Sequence, residues 1–168
     1  MNDRASSVNS PADGGRCTEE ARSFMGYVVS FLERTRAPLL ANLYPYFVYT
    51  NTLGMDMSFA LFTSPGTVVQ DGEYGYQNLF DATVDALYTA VAKLGGGRVR
   101  VVVSETGWPT AGGAAASVEN AAAKHSSAAN RAHPVSMQMA CGPRLPVELL
   151  HGEVTGHLLG CSLVTCGS

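Results

Sequence analysis

The sequence has no C-x-x-C pair, no P-loop, no Gly-x-Gly-x-x-Gly fingerprint and no apolar run of membrane-spanning length. The first absence removes the common redox and zinc motifs. The next two remove the backbone cradles that hold phosphates and dinucleotides, and the last gives no support to a membrane partner. The four cysteines, Cys17, Cys141, Cys161 and Cys166, read as free thiols. His151 and His157 could be set beside Cys161 and Cys166 as four metal ligands, but their spacing fits no common zinc site. No metal and no cofactor is expected. Basic residues are few and scattered: 11 Lys and Arg against 14 Asp and Glu leave a net charge of −3, which speaks against a nucleic-acid partner. The opening MNDRASSVNSPADGG has no apolar segment behind its charged start, so no secretory signal is visible in it.

What remains is the composition of one ordinary domain, 168 residues of which 46% are hydrophobic. Residues 1–17, rich in Ser, Asn, Asp, Gly and Pro, read as a flexible leader. Thr18 is a candidate N-cap, with Glu19 and Glu20 in the first turn. Ala21, Phe24, Met25, Val28, Val29 and Leu32 then recur at helical spacing to about Thr35. Pro38 introduces a short apolar run that predicts a buried strand over Leu39 to Tyr44, with Asn42 and Tyr44 at its far end. From Pro45 to Tyr76 no period is sustained, and the segment reads as a long loop kept ordered by Phe47, Tyr49, Phe59, Phe62, Tyr74 and Tyr76. A helix from about Asn78 to Leu94 stops at the triplet Gly95, Gly96, Gly97, and Val99 to Ser104 is a β-branched strand.

That order predicts an α/β fold with two parallel strands joined through a helix. In such folds substrate meets side chains at the carboxyl ends of the strands. The stretch VVVSETGWP runs a buried strand into Glu105 and then Trp108. An isolated strand-end Glu is most often a solvated cap, and Trp108 could be ordinary packing. A carboxylate beside an indole also suits a sugar, whose C–H face stacks on aromatics. After Gly113 a helix is expected from about Ser117, but residues 116–168 read as a divergent, weakly structured tail. Val147 to Leu150 and Leu158 to Val164 are its candidate short apolar elements. Two strands make neither a barrel nor a stable sheet alone.

The strand-end sequences ANLYPY and VVSETGWP, with the stretch MDMSFALFTSPGTVVQDGEYGYQNLFDATVDALYTAVAKLGGG between them, closely resemble the plant endo-1,3-β-glucanases of glycoside hydrolase family seventeen. The resemblance covers about residues 19–113. It implies an incomplete (β/α)8 TIM barrel, holding the sixth and seventh βα units over residues 18–115, from enzymes that cleave 1,3-β-linked glucan with retention of configuration. It further implies that Glu105 is the nucleophile and that Asn42, Tyr44 and Trp108 bind substrate, the Tyr44 hydroxyl holding Glu105 ionised and oriented. The implied partner is a 1,3-β-glucan polysaccharide, and the implied setting is extracellular or vacuolar.

The departures matter as much. The family's acid/base Glu follows an Asn, and no Asn-Glu pair occurs in this sequence. Its eighth strand carries Phe-Asn-Glu and a nearby Lys, where this chain reads QMACGPRLPVELLHGEV. A truncated hydrolase, a non-catalytic glucan-binding remnant and a fragment without function all remain open on these residues.

Overall fold

The computed structural model describes residues 19–131 and 148–149. Its first helix, α1 (Glu19–Thr35), forms where the apolar spacing predicts it, while the Thr18 cap and the leader lie outside the described residues. The spacing suggested one apolar face, and the structure resolves two. Met25, Val29 and Leu32 pack against Val91 and Val99, whereas Phe24, Tyr27 and Phe31 are exposed.

Strand β1 (Leu39–Asn42) ends two residues before the expected Tyr44. Tyr44 is instead the N-cap of α2 (Pro45–Asn51), because Pro45 sits in the first turn, where a missing N–H costs nothing. The expected loop from Pro45 to Tyr76 is corrected in kind. It holds α2, α3 (Met57–Ala60) and an antiparallel hairpin of β2 (Val69–Asp71) and β3 (Tyr74–Tyr76). Each piece is too short to show a period, so local bonds define it. The Asp56 carboxylate caps α3 by accepting from the Ser58 amide at 2.8 Å, and Gly72 turns the hairpin at φ 56°.

Helix α4 (Leu79–Lys93) is capped by Asn78, whose Oδ1 accepts from the Asp81 amide at 2.9 Å. The Gly triplet ends it by two different means. Gly95 takes φ 89°, and Gly96 admits α1, since a Cβ there would stand 2.4 Å from Val29 Cγ1. Strand β4 (Val101–Glu105) starts two residues later than the expected Val99, which is buried between α1 and α4 instead.

β1 and β4 are adjacent and parallel, as expected, with Leu39, Leu40 and Ala41 opposite Val101, Val102 and Val103. A third strand, β5 (Glu148–Leu149), lies parallel on the other side of β4 and falls within the predicted apolar element Val147 to Leu150. The sheet order is therefore β1-β4-β5 rather than a pair, and the three strands form an open α/β segment. Ala41, Val101 and Val103 face α4 and pack with Leu43, Phe80, Val84 and Tyr88. Between β4 and β5 runs α5 (Val118–Arg131), within the stretch read as a weakly structured tail. Its Ala121 joins the core formed by Trp108, Phe59 and Leu79. The element at Leu158 to Val164 and the His and Cys set fall outside the described residues. Among the described residues no helix is long and apolar enough to cross a membrane.

Candidate active site

The site is built by an irregularity in the ladder. After Ala41↔Val103 the register shifts, and Asn42 stands opposite Glu105 with Ser104 as the extra residue. Such a bulge bends its strand and re-aims the next side chain. By strict alternation Glu105 would share the helix-facing side of Val101 and Val103. Instead it is exposed at the carboxyl end of β4, where the Tyr44 hydroxyl donates to its Oε2 at 2.5 Å. The Leu43 amide donates to the Glu105 carbonyl at 2.8 Å, which fixes the two strand ends to one another.

Burial, and then the bond to and charge of Glu105, push the Tyr44 hydroxyl up to about 12. Tyr44 therefore stays a proton donor across the neutral and moderately alkaline range. The extra residue has a use of its own, since Ser104 Oγ donates to Asn42 Oδ1 at 2.7 Å. With its oxygen engaged, the Asn42 amide keeps its two N–H donors for other partners. Ser104 was not singled out in the sequence; it reads there as one more strand residue.

Trp108 lies close by, but its ring is enclosed. It is buried, 5% exposed, its indole N–H donates to the Ala115 carbonyl at 2.8 Å, and Tyr46 and Tyr49 pack on it at centroid distances of 5.2 and 5.8 Å. A residue so enclosed acts as packing beneath the site, and sugar stacking requires an open ring. Phe47 is 48% exposed and meets Tyr44 edge-on at 5.8 Å, so it is the aromatic beside the carboxylate with surface to offer. Among the described residues no group of three His, Cys, Asp or Glu could hold a metal ion.

The sequence profile of the glycosyl hydrolases family 17 matches residues 3–149. The chain belongs to this family. The match extends past both ends of the 19–113 stretch and so includes α5 and β5. Lichenase-2 of Hordeum vulgare is 60% identical over 115 residues, which is 68% of this chain and 37% of that protein. A glucan endo-1,3-beta-glucosidase of Vitis vinifera is 53% identical over 66% of this chain and 33% of its own length. The chain thus spans about a third of these family 17 relatives. Among solved structures, a plant β-glucan endohydrolase superposes with a TM-score of 0.74 at 48% identity, covering 84% of this chain and 46% of that one. A β-1,3-glucanase and pollen allergen of Cryptomeria japonica gives 0.74 at 31% identity, covering 84% and 43%.

Proposed function

We propose that this chain carries the nucleophile half of a retaining endo-hydrolase site for 1,3-β-linked glucan. On this reading β1 and β4 are the sixth and seventh strands of the (β/α)8 barrel, and β5 takes the place of the eighth. The observation that carries the proposal is the 2.5 Å bond from Tyr44 to Glu105 Oε2 at the carboxyl ends of parallel strands. One oxygen of the carboxylate is held, and the other, Oε1, is the attacking atom. A retaining glycosidase needs a carboxylate that stays ionised and is aimed at the anomeric carbon, with a second carboxyl group about 5 Å away to protonate the leaving oxygen.

Glu105 forms the bond to the anomeric carbon while the leaving oxygen takes a proton from the acid. Water, deprotonated by that same acid/base group, then releases the sugar. Tyr44 donates to Oε2 in the free site and so acts through Glu105, as a positioning residue. The Asn42 N–H groups, set by Ser104, donate to sugar hydroxyls. Trp108 supports the Tyr46 and Tyr49 rings from below, and Phe47 supplies the exposed aromatic edge of the cleft. The acid/base carboxyl is not matched by any Asn-Glu pair in this sequence, so the chain by itself lacks one of the two groups the reaction requires.

A β-glucan endohydrolase stands beside a glucan endo-1,3-beta-glucosidase among the similar proteins, so β-glucan is the common substrate class, and the 1,3 linkage is the finer part of the proposal. The test is to graft residues 19–113 into an intact family 17 barrel and compare it with its Glu105→Gln form. The amide keeps shape without nucleophilicity, so turnover of soluble 1,3-β-glucan is expected to fall by several orders of magnitude with binding largely kept. Near-normal turnover by Glu105→Gln would remove the nucleophile role.

A further inference from the structure

α2 is a helix of seven residues, too short to hold its place in water by its own hydrogen bonds. Its N-cap, Tyr44, makes no side-chain cap bond, because the hydroxyl goes to Glu105. Packing therefore seats the helix, and Tyr46 is the part of it that meets the turn after the nucleophile. The Tyr46 ring stands edge-on to Trp108 at 5.2 Å, and its hydroxyl lies over Gly113, where a Cβ would collide with Oη.

The turn that carries Gly113 is itself tied at one carbonyl. The Ala115 oxygen accepts from the Trp108 indole N–H at 2.8 Å and from the Asn120 side-chain N–H at 2.8 Å, so the exit of β4 and the first turn of α5 meet there. Ala115 stands at φ 58°, a left-handed conformation that a residue with a Cβ rarely takes. Such strain persists where the surroundings over-determine it, and it gathers at functional sites. Asn120 is fixed in its turn: its backbone amide donates to Ser117 Oγ at 3.1 Å, and its side-chain N–H reaches Met57 Sδ of α3 at 3.7 Å.

We propose that Asn120 and Tyr46 are positioning residues for the nucleophile. Asn120 holds the Ala115 carbonyl and through it Trp108, Trp108 and the Gly113 notch clasp the Tyr46 ring, and Tyr46 sets α2 so that its N-cap, Tyr44, meets Glu105. The inference rests on the catalytic reading given under the proposed function. Glu105 and Trp108 leave the same strand, so the nucleophile and the clasp on its partner share one piece of backbone. A turn that only packs matters to stability, whereas a turn that positions Tyr44 matters to kcat by way of the Tyr44 hydroxyl.

Two readouts test it. In the full 168-residue chain Trp108 is the one tryptophan, so its emission and its quenching by acrylamide report on the clasp without any chemistry. Asn120→Asp keeps the shape of the side chain and removes its N–H donors. Gly113→Ala drives the Tyr46 hydroxyl off the turn from an exposed position, which keeps the test open where Asn120→Asp fails to fold. Each variant is expected to move the emission to longer wavelength and to raise quenching. In an intact family 17 barrel carrying residues 19–131, each is expected to lower kcat by about three- to tenfold with KM little changed. In the Tyr44→Phe background the further loss should fall below about twofold, since effects that act through one contact do not add.

Parent-like Trp108 emission in both variants would overturn the clasp. Parent-like kcat in the folded variants, beside an inactive Glu105→Gln barrel, would reduce the turn to packing and overturn the positioning role. A loss of the same size with and without the Tyr44 hydroxyl would overturn the route through Tyr44. Near-normal turnover by Glu105→Gln would instead overturn the catalytic reading on which the role depends, while the emission shifts in the full chain would still establish the clasp.

Discussion

Asn42 stands opposite Glu105 in the parallel ladder, one position beyond the register that pairs Leu39, Leu40 and Ala41 with Val101, Val102 and Val103. The extra residue, Ser104, shifts the pairing just ahead of Glu105, whose exposed carboxylate accepts the Tyr44 hydroxyl. It also ties down the Asn42 side chain, so one bulge sets three side chains of the site. The first prediction follows from the bond it makes. In the grafted barrel, Tyr44→Phe should lower kcat by about ten- to a hundredfold, the worth of a hydrogen bond to a charged group, and change KM little. A variant with unchanged kcat would show that the bond does not orient the nucleophile.

A second prediction concerns how α1 is seated. A Cβ at Gly96 would lie 2.4 Å from Val29 Cγ1 and 2.8 Å from Val91 Cγ1, whereas one at Gly97 meets nothing within 4 Å. Gly96→Ala should therefore destabilise the chain by about 1–3 kcal/mol through overpacking, and Gly97→Ala should lie near the parent. Urea unfolding of the two variants side by side decides it; equal midpoints would contradict the packing described for α1 and α4.

The parallel pair and both long helices were legible in the sequence, because β-branched runs and helical apolar spacing are signals carried by many residues at once. The meeting of Tyr44 and Glu105 was legible for a related reason, since both stand at the carboxyl ends of the predicted parallel strands. The bulge was not, because a register shift is a property of backbone pairing between chain segments 62 residues apart and no local pattern reports it. For Trp108 the sequence left sugar stacking and ordinary packing both open, and only the positions of Tyr46, Tyr49 and the Ala115 carbonyl show the ring enclosed. α2, α3 and the hairpin escaped because each is too short for its period to recur often enough to be read.

α5 gives the clearest contrast, since a Lys on a helix ordinarily reads as solvated. Lys124 is 1% exposed, has no hydrogen-bond partner for Nζ, and lies over the Phe62 and Phe80 rings at 4.3 and 4.9 Å. Burial pulls its ammonium down from 10.5 to about 8, against a smaller opposing pull from Asp81.

The third prediction uses that depression. Below about pH 8 Lys124 is charged in both the folded and unfolded chain, and the cost of burying the charge is present in full. Between about 8 and 10.5 the unfolded chain binds the proton and the folded one does not, so stability rises with pH by up to about 3 kcal/mol. Above that window the gain is complete. Lys124→Met should flatten this rise and be more stable than the parent at pH 7. The check is the difference between parent and variant unfolding free energies at pH 7, 9 and 10.5; a difference that does not change with pH would contradict the burial of a charged Lys124.

The claim on which the account turns is that Glu105 becomes covalently bonded to sugar. The direct measurement is mass spectrometry of the grafted barrel after reaction with a 2-fluoro 1,3-β-glucan oligosaccharide bearing an activated leaving group, which slows release of the glycosyl-enzyme more than its formation. A retaining site with Glu105 as nucleophile predicts a single adduct on the peptide containing VVVSETGWP, localised to Glu105 and absent from Glu105→Gln. An adduct on another carboxylate, or continued turnover with no adduct, would contradict the account.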